Sequence, residues 1–238
     1  MKPNQKLKSA KKDQVREMFN NISIEYDFLN RIITLGNDLR WRERIYTISK
    51  KDNPKNILDI ATGTADIAIE LSKIKDAKIV GIDISNKMLN VGREKVKKNN
   101  LSEKISLIKG DAENINYSSN SFDLITIGFG VRNFQDLVKG LKESHRVLKQ
   151  SGKLVILETS VPNNYFIKFF YLVFSRTFIP LVGRVFSKDQ SAYRYLQKSA
   201  ESFPCGKEFA DLLKTCGFKN VTIEQQMFGA SSIYVAYK

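Results

Sequence analysis

Carboxylates end three apolar runs in the first half of this chain, and small residues follow the first of them. Asp59 lies in NILDI, and the loop ATGTA, residues 61–65, comes next, with Gly63 at its centre and Thr64 where a helical pattern begins. Asp83 ends KIVGID, 20 residues after Gly63, and Asp111 with Ala112 follows KISLIKG. A carboxylate at that spacing reaches the two hydroxyls of a ribose. Asp111 can accept from an adenine amino group while the Ala112 amide donates to the ring, and Asp59 suits an ammonium group. Thr64 offers a hydroxyl and an amide at a helix entrance, where a carboxylate is favoured. Asp and Thr at strand ends also form turns and cap helices. Three such residues in register favour a ligand over that plainer reading.

The loop says which ligand. Gly63 alone takes any backbone conformation, while Ala61 and Ala65 are small enough to let a ligand pass close. A pyrophosphate would want more glycines: GxGxxG is absent, and neither Gly152-Lys153 nor Gly206-Lys207 has a glycine five positions before it, so no P-loop is expected. A nucleoside with an amino-acid tail and no phosphate is S-adenosylmethionine. The expected cofactor-binding residues are Asp59, Gly63, Thr64, Asp83, Asp111 and Ala112. A nicotinamide reductase would carry a YxxxK pair after the fourth strand, and the pair Tyr46 and Lys50 precedes the first.

The elements that must position these residues alternate. NILDI, KIVGID, KISLIKGD, FDLITIGF and KLVILET are apolar runs separated by helical patterns ending near Ile74, Lys98 and Lys149, which predicts an α/β doubly wound parallel sheet. KNVTIEQQ and SSIYVAYK, joined by a short connection, add an antiparallel pair. This is the plan of a class I, Rossmann-like methyltransferase with a seven-stranded sheet. Before it, Val15, Met18, Phe19 and Ile22, then Tyr26, Leu29, Ile32, Ile33 and Leu35, recur at helical spacing, Gly36 ends the run, and a third helix surrounds Trp41. The expected organisation is a basic flexible tail over 1–12, a helical cap over 13–50 and a methyltransferase domain over 51–238. An aromatic-rich insert occupies 160–200.

In that insert, 8 of the 25 aromatics fall within residues 165–186, with Lys168, Arg176 and Arg184 among them. Core helices, a greasy lid and an interfacial membrane contact all fit such a run. No run is read as long enough to span a bilayer. Two cysteines and one histidine make no zinc site or disulfide framework, so a cytoplasmic setting is expected, peripheral at the inner face of the membrane, and no metal. The net charge of +14 comes from 28 lysines and 11 arginines scattered apart from Lys2, Lys6, Lys8, Lys11 and Lys12. Solvated helix faces explain most of it, and no nucleic-acid partner is expected.

Three stretches carry a resemblance: residues 15–42, VREMFNNISIEYDFLNRIITLGNDLRWR; residues 121–136, SFDLITIGFGVRNFQD; and LVILETSVP with the later AYRYLQKSAESFP. Together they resemble the ubiquinone/menaquinone biosynthesis C-methyltransferase family over nearly the whole chain. The resemblance implies methylation of a ring carbon of a polyprenylated hydroquinone, demethylmenaquinol ahead of a benzoquinol. Thr64, Asp83, Asp111 and Ala112 fall on the family's cofactor positions. Ala65 stands where the family's loop usually has glycine, and Gly128 where some members have serine, which removes a hydroxyl contact. Arg132 and Asn133 follow the fourth strand and are expected to bind the phenolic oxygen, arginine as an anion stabiliser and not as the base. A loop salt bridge for Arg132 and a helix cap for Asn133 are the plainer alternatives.

Tyr26 and Asp27 are candidates for closing the site. His145 sits in a lysine-rich helical pattern and is read as structural or solvated, and Pro204-Cys205 as a turn and not a nucleophile's setting. Rival readings are an RNA or small-molecule methyltransferase, which lacks its NPPY-like run here, and a non-catalytic binding module. Self-association into a homo-oligomer is left open.

Overall fold

The computed structural model describes residues 1–186 and 189–238, so Ser187 and Lys188 of the expected insert lie outside the described residues. Three helices open the chain, α1 (Lys11–Ile22), α2 (Tyr26–Ile33) and α3 (Asn37–Ser49). The alternating part is β1 (Asn56–Ile60), α4 (Asp66–Leu71), β2 (Lys78–Asp83), α5 (Asn86–Lys98), β3 (Ile105–Lys109), β4 (Phe122–Gly128), α6 (Leu137–Val147) and β5 (Leu148–Thr159). Then come α7 (Tyr165–Phe186), α8 (Gln190–Ser202), α9 (Lys207–Thr215), β6 (Lys219–Gln226) and β7 (Ser231–Tyr237).

The seven strands form one sheet in the order β3-β2-β1-β4-β5-β7-β6. β1 to β5 are parallel, and β7 runs antiparallel between β5 and β6. Successive side chains point to opposite faces, and the core divides accordingly. Leu58, Ile60, Ile125, Ile127 and Ile156 face Leu141 of α6 and Phe209 and Leu213 of α9. Ile57, Ile79, Leu124 and Val155 face Ile45 of α3, Ala68 of α4 and Leu89 of α5. Each such Leu or Ile contributes roughly 1.5–3 kcal/mol by leaving water. The chain turns in opposite directions after β1 and β4, neighbours in the sheet, and this opens a crevice at their carboxyl ends.

A third cluster, Val15, Met18, Ile22, Leu29, Val182, Ala192, Tyr193 and Tyr195, packs α1 and α2 against α7 and α8 above that crevice. Gly36, at φ +77°, makes the left-handed break between α2 and α3. α1 begins at Lys11, inside the stretch expected to be tail, because Lys11 and Lys12 are both tied to the core, as described below. The helix expected to reach Lys149 stops at Val147, since Leu148 already pairs with Phe122. A register shift follows before Leu124 meets Lys153.

The aromatic run corrects one expectation. α7 is a continuous helix of 22 residues, about 33 Å at the usual rise, and its stretch Tyr165–Val185 is long and apolar enough to cross a membrane. Its packing is lateral: one side contacts α8 and α2, while Phe166, Phe169, Phe170, Val173, Leu181 and Val185 form an exposed stripe at helical spacing.

Candidate active site

The loop after β1 needs more unusual backbone than its composition suggests. Ala61, Gly63 and Ala65 all have positive φ, +54°, +55° and +67°, so the left-handed region is used at three positions with one glycine among them. A Cβ at Gly63 would meet nothing within 4 Å, which leaves the backbone open to a ligand's close approach. The Gly63 amide donates to Asp83 Oδ2 at 2.9 Å and the Ser85 amide to Oδ1 at 2.8 Å. Burial raises the Asp83 carboxyl above its ordinary range, against the pull of these amides.

Asp59 is 1 % exposed and accepts from the hydroxyls of Thr62 at 2.5 Å and Thr126 at 2.6 Å. Thr126 is its register partner on β4. Desolvation pushes the Asp59 carboxyl up to about 6, although both hydroxyls oppose the rise. The Thr64 hydroxyl donates to Asp27 Oδ1 at 2.6 Å and accepts from Lys95 Nζ at 3.2 Å. Lys95 also pairs with Asp27 and Asp66, and Arg42 pairs with Asp66 and Asp38. The hydroxyl therefore belongs to a charge cluster fastening α2 and α3 to α4 and α5.

Asp111 Oδ1 accepts from the Glu113 amide at 2.9 Å, while Oδ2 meets Lys12 Nζ at 2.6 Å, and Lys12 reaches Glu113 at 3.2 Å. Lys11 Nζ donates to the carbonyls of Arg132 at 2.9 Å and Phe134 at 2.6 Å. The first turn of α1 thus clasps both the third strand's end and the loop after the fourth.

Two cavities meet at the sheet's edge. One, of about 70 Å³, is bounded by Gly63, Asp83, Asp111 and Ala112 below and by Val15 and Phe19 of α1. The other, of about 220 Å³, carries Asp59, Thr64 and Arg132 beside an apolar wall that includes Trp41, Phe174 and Leu196. Tyr26, Ala61, Gly63, Gly128 and Phe129 line both. A half-buried carboxylate at the end of β2, a second half-buried one just past β3, open backbone at Gly63 and the buried Asp59 in the adjoining chamber fit a nucleoside with an amino-acid tail.

Between the cavities the chain is strained. Phe129 has φ +54°, unusual for a bulky residue, and its carbonyl accepts from Arg132 Nη1 at 2.9 Å and Asn133 Nδ2 at 3.2 Å. Arg132 Nη1 also pairs with Glu158 Oε1 at 2.5 Å, and Asn133 Oδ1 accepts from the Tyr195 hydroxyl at 3.1 Å. Asp136, not Asn133, caps α6, through the Lys139 amide. Burial pushes the phenols of Tyr171 and Tyr195 up to about 12, so both stay protonated. His145 packs edge-on against Phe218 and Cys205 is half-buried; neither lines either of these two cavities.

Glu158, Lys11, Lys12 and Tyr195 were not expected at the site. Glu158 nonetheless gives the same signal as Asp83, an acid near the end of an apolar run, in LVILET.

The profile of the ubiE/COQ5 methyltransferase family matches residues 5–238. This chain belongs to that family. A protein of Bacteroides fragilis named demethylmenaquinone methyltransferase is 42 % identical, covering 99 % of both chains. One of the same name from Chlorobaculum tepidum is 38 % identical over 98 % of this chain and 95 % of its own. The crystal structure of an S-adenosylmethionine-dependent methyltransferase from Aquifex aeolicus shares the fold with a TM-score of 0.55, 19 % identity and coverage of 76 % and 81 %. By family the protein is a methyltransferase, and it shares its fold with the S-adenosylmethionine-dependent enzyme of Aquifex aeolicus.

Proposed function

We propose that this methyltransferase methylates a ring carbon of demethylmenaquinol, the polyprenylated hydroquinone corresponding to its relatives' name. The observation that carries the reading is the joined pair of cavities, one edged by carboxylates and the other apolar with a guanidinium on its wall. S-adenosylmethionine, when bound, supplies an electrophilic methyl group on a positively charged sulfur. Asp83 would hold the ribose hydroxyls, Asp111 and the Ala112 amide the adenine, Asp59 the ammonium and the Thr64 amide the carboxylate. Gly63 would let the cofactor pass close to the backbone.

A quinone ring carbon is electrophilic, whereas a hydroquinone that loses a phenolic proton places negative charge on the adjacent carbon. A phenol titrates near about 10, so the site must favour the anion. Arg132 does this as a fixed cation, with Asn133 beside it, and Trp41, Phe174 and Leu196 keep water from the ring. The exposed stripe of α7 supports a contact with the membrane that stores such a substrate. The helix carries no acidic residue, and its cations Lys168 and Arg184 suit anionic lipid, while Arg176 pairs with Glu201 of α8.

Purified enzyme given S-adenosylmethionine and demethylmenaquinol should form menaquinol and leave an RNA control unmethylated; methylated RNA with inert quinol ends the reading. Replacing Phe166, Phe169 and Phe170 by serine should abolish co-sedimentation with anionic vesicles while quinol in detergent still turns over.

A further inference from the structure

Among the ion pairs of the described residues, Arg132 and Glu158 alone are both nearly sealed from water, with side chains 8 % and 0 % exposed. Such a pair persists only when its geometry offsets the loss of hydration. Here the grip is one-sided. Glu158 Oε1 takes Arg132 Nη1 at 2.5 Å, the Thr159 amide at 2.7 Å and the Thr159 hydroxyl at 3.1 Å, while Oε2 takes only the Arg132 amide, at 3.4 Å. Arginine–carboxylate pairs frequently use the guanidinium's two parallel donors. Instead Nη1 alone makes the contacts with Glu158 and Phe129, and Arg132 Nε is buried with no partner. Arg132 lines the larger cavity, and Glu158 stands behind it.

We propose that Glu158 is a positioning residue for methyl transfer: it fixes the Arg132 guanidinium by one arm, leaves the remaining donors for the phenolic oxygen, and offsets the cation's charge. The inference rests on the quinol reading above. Offsetting matters because an uncompensated guanidinium in this setting would bind phenolate so well that the anion would be a poorer nucleophile. The other titratable groups facing the pair are Lys11 on α1, Tyr26 on α2, Tyr171 on α7, Tyr195 on α8 and Tyr234 on β7. The phenols stay neutral below pH 10, since burial raises all four.

The test compares wild type, Glu158→Gln, Glu158→Asp, Arg132→Gln and the Arg132→Gln/Glu158→Gln double variant, with demethylmenaquinol as substrate. Glu158→Gln should lower kcat about 10- to 100-fold with the KM for S-adenosylmethionine within about twofold. Its acid limb should move to lower pH, because the lone cation favours phenolate. Glu158→Asp, which keeps the charge, should recover part of kcat on an unmoved limb. The double variant should be no slower than Arg132→Gln. Unchanged kcat and pH profile with only a lower Tm would overturn the proposal, as would a double variant slower than Arg132→Gln, which would make Glu158 act on its own. Proton exchange at Arg132 Nε, read by nitrogen-15 NMR without any quinol, should be at least about tenfold faster in Glu158→Gln. If wild type leaves the quinol unmethylated, the functional reading fails while this exchange rate still decides whether Glu158 holds Arg132; equal rates in both proteins overturn the hold.

Discussion

The two walls of the site are built differently. On the wall proposed for the cofactor each carboxylate has a partner in its own loop or on the adjoining strand's loop, Asp59 the Thr62 hydroxyl, Asp83 the Ser85 and Gly63 amides and Asp111 the Glu113 amide, with Thr126 and Lys12 added from farther along the chain. Three neighbouring parallel strands deliver the three carboxylates to one edge. On the wall proposed for the substrate the Phe129 carbonyl is a local anchor for Arg132 and Asn133, and the other contacts come from separate helices and strands, Arg132 to Glu158, Asn133 to Tyr195 and Lys11 to the Arg132 carbonyl. A wall of strand ends is placed by the register of the sheet. A wall of helices and loops depends on how α1, α2, α7 and α8 are packed.

Breaking each wall separately tests that contrast. Arg132→Gln removes the anion-stabilising cation and should lower kcat about 10²- to 10³-fold, with S-adenosylmethionine affinity by calorimetry within about twofold. A matching loss of cofactor affinity would mean the walls are not separable. Asp83→Ala should do the reverse. It weakens cofactor binding about 10- to 100-fold, the worth of hydrogen bonds to a charged acceptor, and leaves kcat at saturating cofactor within about threefold.

Asp59 sharpens the comparison through pH. Its carboxyl, raised by burial to about 6 from 3.8, must lose its proton to meet an ammonium, so affinity for S-adenosylmethionine should rise about tenfold from pH 5 to pH 7. Asp59→Asn should flatten that part of the profile. For stability the sign is opposite: the buried neutral acid contributes fully below about pH 4, and the contribution is lost as pH rises through about 6. The smallest effect belongs to the loop itself. Ala65→Gly relieves a left-handed alanine, worth about 1–2 kcal/mol, against glycine's entropic penalty of about 0.5–1 kcal/mol. The net gain should raise Tm by about 1–3 °C. An unchanged or lower Tm would show that the loop holds Ala65 without strain.

Much of the fold was legible because strands and helices write their periods locally. β1 to β5, the terminal antiparallel pair and the three opening helices follow from apolar spacing and turn residues alone. Boundaries were less legible where tertiary pairing extends or cuts an element, as at Leu148, claimed by Phe122 from the end of α6. α1 starts at Lys11 for a similar reason: carbonyls of a loop more than a hundred residues away order a lysine that composition alone assigns to a tail. The carboxylates proposed to hold the cofactor stand out at strand ends by type and position. Glu158 carries the same mark, but nothing nearby in sequence says that an arginine will face it.

ATGTA shows the same limit at the scale of one loop. Its single glycine suggested one unusual backbone position, yet the structure uses three, since the path from β1 into α4 is fixed by the strands and helices at its ends. What the sequence by itself determined is the order of the strands and which of them end in carboxylates, because side-chain type and spacing act over a few residues. Tertiary structure alone decided which cation meets which carboxylate, that α1 covers the cofactor edge, and that α7 leaves an apolar stripe in the open. These depend on burial and desolvation imposed by residues far apart in the chain, and no local pattern records them.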